Sequence, residues 1–121
     1  MKAEVKSLLN GLMVYWDEVE EAARYYVHLL IGYTPQTKTL YQEIAVVEVP
    51  RNIKYHSFTD LAKIDQEEAI LSHYHASGKD THKNYFIFVE AEDRTGKIIA
   101  KTEKQVGKVY VMFNGYYSLS N

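Results

Sequence analysis

His73 and His75 form an H-x-H pair, with Asp80 and His82 shortly after it. Imidazoles with a carboxylate are the donor set of zinc and copper sites. On a helix, however, side chains two positions apart point about 200° away from each other and cannot chelate together. Solvated histidines are the simpler reading. Asp17, Glu18, Glu20 and Glu21 form an acidic stretch. It lacks the alternating ligands around a glycine that a calcium loop uses. The chain has no cysteine, which excludes disulfides, thiolate-bound zinc, iron–sulfur clusters and a thiol nucleophile. No nucleophile-elbow motif occurs, and the six glycines are dispersed rather than gathered into a phosphate loop. No pair of carboxylates or histidines has a spacing that implies a catalytic cleft. The expectation is a non-catalytic protein without metal or cofactor.

The elements that must carry these residues are mostly strands. Period-2 alternation rich in Val, Ile, Tyr and Phe predicts strands at Ala3–Leu9, Leu12–Trp16, Arg24–Ile31, Thr39–Val49, Asn52–Phe58 and Tyr85–Glu92. Asn10-Gly11 and Asp93-Arg94-Thr95-Gly96 read as turns. Lys97–Thr102 reads as extended, Gln105–Gly107 as a bulge and Lys108–Phe113 as the last strand, followed by a loosely held tail over 114–121. The exception is Asp65-Gln66-Glu67-Glu68, which resembles a helix N-cap with its capping box. Ile70, Leu71 and Tyr74 follow at helical spacing, and Gly78 can stop the helix. This predicts one short helix over Gln66–Ala76.

All of this fits one domain over 1–121, since 121 residues suffice for a single core. Apolar residues at 46% and charged residues at 25% argue against disorder. The net charge is −2, from 14 basic and 16 acidic residues, so no global basic footprint favours nucleic acid. Lys97, Lys101, Lys104 and Lys108 do cluster, but lysines along an edge strand guard against aggregation. Glu4, Lys6, Ser7 and Asn10 interrupt any leader-like apolar run, and no stretch is long enough to insert in a membrane. The expectation is a soluble protein, either cytoplasmic or a fragment of an exported or virion protein.

Residues 12–27, LMVYWDEVEEAARYYV, resemble the B and C strands of the fibronectin type III family. Leu12, Val14 and Trp16 match its L-x-V-x-W, and Val19, Ala22, Tyr25 and Val27 follow at the family's intervals. Glu18 stands at a position where the family often has proline. Phe58-Thr-Asp-Leu61 resembles the end of strand E. Tyr85, Val89, Ala91 and Gly96 match strand F and the F–G turn. The resemblance implies an all-β, seven-stranded sandwich of the immunoglobulin-like type. Leu61 and Tyr85 are far more widely separated than in the family, so the predicted helix reads as an insertion between strands E and F. Trp16, the single tryptophan, is suited to fill the space between two sheets packed about 10 Å apart.

Strand parity then marks a surface. If Tyr25, Val27 and Leu29 face the core, Tyr26, His28 and Leu30 face outward, as do Phe86 and Phe88. In the family, strands C, F and G lie side by side. Pairing of the last strand with strand F adds Tyr110 and Met112. A face with Tyr26, His28, Leu30, Phe86, Phe88, Tyr110 and Met112 needs an occupant. One candidate is the inserted helix, through Ile70, Leu71 and Tyr74. The others are a protein partner and a second copy in a homodimer. What the resemblance implies is a non-enzymatic structural or interaction module in a larger assembly, bacterial or phage-like. The alternative is a glycan-binding module, because eleven tyrosines supply amphipathic stacking surface.

Overall fold

The computed structural model describes residues 1–9, 11–33, 40–59, 61, 84–107, 110–113 and 116–119. Every regular element among them is a strand: β1 (Ala3–Leu8), β2 (Gly11–Trp16), β3 (Arg24–Tyr33), β4 (Leu40–Pro50), β5 (Tyr55–Phe58), β6 (Asn84–Glu92), β7 (Ile98–Lys101), β8 (Gln105–Gly107), β9 (Tyr110–Phe113) and β10 (Tyr116–Leu119). The helix predicted over 66–76 and the residues His73, His75, Asp80 and His82 lie outside the described residues.

The strands form two main antiparallel sheets. In the first the order is β1-β2-β5. In the second it is β4-β3-β6-β7, with β8 also pairing β6. Alternation explains the burial. On β2, Leu12, Val14 and Trp16 are buried while Met13 and Tyr15 are half-buried. On β3 and β6, Tyr25, Val27, Leu29, Ile87, Val89 and Ala91 turn inward. These residues and Phe58 share one core. The Trp16 and Tyr25 rings meet across it with centroids 5.4 Å apart.

Three bulges set which side chains reach the outer surface; the third is Ile99 on β7, since Ala91 pairs with Ala100 but Glu92 with Ile98. Leu29 pairs with Ala45 but Leu30 pairs with Glu43, so Ile44 is the extra residue on β4 and is buried in the core. The second lies between β7 and β8. Lys101 pairs with Glu90, and Gln105 pairs with Ile87. Residues 102–104 on one strand thus span Phe88 and Val89 on the other, one residue too many. The buried Thr102 bridges the gap: its amide donates to the Val89 carbonyl and its hydroxyl accepts from the Val89 amide, both at 2.9 Å. The extra residue resets the parity, leaving Lys101 and Val106 on the outer face although five positions separate them.

The C-terminal part differs from expectation. The strands beside β6 are β7 and β8, within 98–107, and not Lys108–Phe113. The ladder of β9 is with β10, where a loose tail was expected: Tyr116 pairs with Phe113 and Leu119 with Tyr110. The turn at Asp93 is as expected. The Asp93 carboxylate accepts from the Thr95 amide and hydroxyl and from the Lys97 amide, and Gly96 takes φ +88°, open to glycine without strain. The hydroxyl bond and the amide of Lys97 hold the Asp93 carboxyl below its ordinary value of 3.8.

Candidate interaction face

The outer surface of the larger sheet gathers five of the residues singled out by parity. Ladder pairs place Tyr26 beside Glu90, His28 beside Phe88 and Leu30 beside Phe86. Tyr110 and Met112 are not brought there, because their strand pairs with β10 and not with β6. The expectation set Lys108–Phe113 beside β6 after a bulge at Gln105–Gly107; β7 and β8 take that place instead.

His28 stands near the middle. Its ring stacks on Phe88, 4.2 Å between centroids and nearly parallel. Nδ1 contacts Glu43 of β4, and Nε2 lies 2.5 Å from Glu90 of β6. The stack shields Phe88, which is only 8% exposed although it points away from the core. On its other flank the ammonium of Lys101 is 4.6 Å from the Phe88 centroid and that of Lys104 is 5.8 Å away. Among the described residues, neither lysine has a carboxylate within salt-bridge distance.

One end of the face is apolar. Leu30 is 8% exposed, and Phe86 packs edge-on against Tyr41 at 5.1 Å. The Phe86 ring lies over Gly32, where an added Cβ would sit 2.4 Å from a ring carbon. Gly32 is thus the seat of the ring. Tyr41 and Val106 remain 46% and 52% exposed. The other end is ionic. Arg24 bonds Glu92 at 2.5 Å and approaches Glu48 at 3.3 Å. The Glu92 bond raises the Arg24 pKa above its ordinary value, and desolvation, then Glu92 and Glu48, raise that of the Tyr26 phenol.

Parity on β3 and β6 found the centre of this face. It missed Tyr41, Glu43, Val46 and Glu48 on β4, and Lys101, Lys104 and Val106 beside β6. The alternation of Thr39–Val49 was a signal for the β4 set, blurred by the bulge at Ile44. No local pattern announces the second bulge.

The remaining surface offers less. Tyr15 and Tyr55 pair across β2 and β5 on the outer side of the smaller sheet, with Tyr55 60% exposed. The Tyr15 hydroxyl donates to Glu4, which raises the phenol pKa. Asp17, Glu18, Glu20 and Glu21 are exposed, and their loop is pinned by the Val19 amide donating to the Tyr25 hydroxyl at 3.0 Å. Among the described residues no group of three or more His, Asp or Glu side chains is placed to hold a metal ion. No helix among them is long and apolar enough to cross a membrane. No protein-family model, curated protein or solved structure matches the chain.

Proposed function

We propose that the chain is a non-catalytic, fibronectin type III-like module whose outer β4-β3-β6-β7/β8 face binds protein. The observation that carries this reading is an aromatic and aliphatic surface on which Tyr41, Val46 and Val106 stay about half exposed. Exposed apolar groups rimmed by charge are the usual anatomy of an interface. Support for the family reading comes from the side-by-side order of β3, β6 and the strands within 98–107, which stand where strands C, F and G would. It also comes from Trp16, Tyr25 and Val27 in the core.

The test is the double variant Tyr41→Ser, Val106→Glu. A working surface gives a melting temperature within a few degrees of the parent. A collapse of stability comparable to a core substitution shows that the face belongs to the fold, and the proposal fails. The glycan-binding alternative has one observation in its favour, the Tyr15–Tyr55 pair on the opposite sheet. Sugar-dependent quenching of tyrosine emission that vanishes in Tyr55→Ala would favour it.

A further inference from the structure

We infer that the outer face of the larger sheet closes on a second copy of this chain, related by a two-fold axis parallel to the strands and midway between β3 and β6. The inference rests on the reading of that face as a working surface and supplies its occupant.

The argument is the order of side chains within each row across the sheet. At the level of Arg24 and Glu92, the cation is left of the midline and the anion right of it. A two-fold along the strands exchanges left and right at constant height, so Arg24 of one copy meets Glu92 of the other. The next row runs Glu48, Tyr26, Glu90, Lys101. Its outer members exchange as Glu48 against Lys101, and its inner members as a phenol against a carboxylate. The row of His28 and Phe88 offers an imidazole to a ring. The row Glu43, Leu30, Phe86, Val106 brings Leu30 onto Phe86. No row brings like charges together.

The other face-to-face two-fold, perpendicular to the strands, fails this criterion. It lays β4 on β4 and the opposite edge on itself. Glu43 of each copy then faces Glu48 of the other. Like charges so placed cost several kcal/mol in an interface. The size is also adequate. Four strands about 4.8 Å apart and roughly nine residues long present on the order of 600 Å² per copy before side-chain relief is counted. Two copies reach the lower end of a stable interface, about 1,200 Å² in total.

Sedimentation equilibrium over a hundredfold concentration range tests this, after circular dichroism has shown each chain to be folded. The parent should pass from 14.0 kDa toward twice that mass. Glu48→Lys alone and Lys101→Glu alone should each associate at least about tenfold more weakly. An equimolar mixture of the two single variants should recover association, since one of the two contacts is then the native Glu48–Lys101 pair and the other is restored with its sign reversed. If Lys101→Glu does not fold, Val106→Glu takes its place, set against Glu43 of the mate, and should likewise lose at least about tenfold. A parent that stays monomeric throughout overturns the inference while leaving the module reading to its own stability test. A parent that associates with unchanged strength in the variants, or a mixture that does not recover, overturns the proposed two-fold.

Discussion

Trp16 lies in the core against Tyr25, yet its indole N–H is buried with no hydrogen-bond partner among the described residues. Ring volume and an unmet donor pull in opposite directions. Trp16→Ala should cost about 3–5 kcal/mol in denaturant melts, because the cavity adds to the lost transfer energy. Trp16→Phe keeps much of the volume and deletes a donor whose desolvation costs about 1–3 kcal/mol, so it should cost about 1 kcal/mol or less. Similar losses in both variants would contradict this account. His56 gives a pH signature. It pairs with Val14 and meets Phe58 edge-on at 4.7 Å, and burial lowers its pKa below 6.5. The unfolded chain therefore binds more protons than the folded one as pH falls through and below 6.5, and stability falls with it. Thermal melts between about pH 7.5 and pH 5.5 should show a smaller loss in His56→Gln than in the parent. An equal loss would mean that His56 does not contribute.

At the scale of elements, Thr102 holds the second sheet together where its ladder breaks. Its hydroxyl takes the place of a missing strand acceptor for the Val89 amide. Thr102→Val keeps the shape but leaves that buried amide unmet, at about 1–3 kcal/mol, whereas Thr102→Ser keeps the bond and should lose clearly less. Urea denaturation of both variants is the check, and equal losses would assign the effect to packing. The same bulge explains the limit of the sequence reading. Strands β1 to β6 were legible within about three residues at each end, because their apolar residues alternate, apart from the bulge at Ile44. The alternation in 97–113 breaks at Thr102, and the dense apolar run Tyr110–Phe113 draws the eye to the wrong strand. A one-residue insertion has no composition of its own; its mark is a pair of registers that only the neighbouring strand reveals. The helix over 66–76 falls outside the described residues and lends no weight to either side.

For the whole molecule, the two sheets share a single core, so neither has a hydrophobic face of its own to retain when the other leaves. Leu12, Val14, Trp16 and Phe58 from one sheet pack with Tyr25, Val27, Leu29, Ile87 and Val89 from the other. This much was legible, because inward positions on β2, β3 and β6 are apolar without exception. The face opposite the core was half legible: its centre follows from parity, its charged margins from bulges that local sequence does not display. A shared core makes unfolding one cooperative event. Trp16 emission reports the smaller sheet and far-ultraviolet circular dichroism reports both. Their urea transitions should coincide in midpoint and slope. Separated midpoints would mean that the sheets lose structure independently. Such a result would also undermine the dimer, because its row-by-row complementarity needs β4 and β7/β8 held in register across a rigid larger sheet.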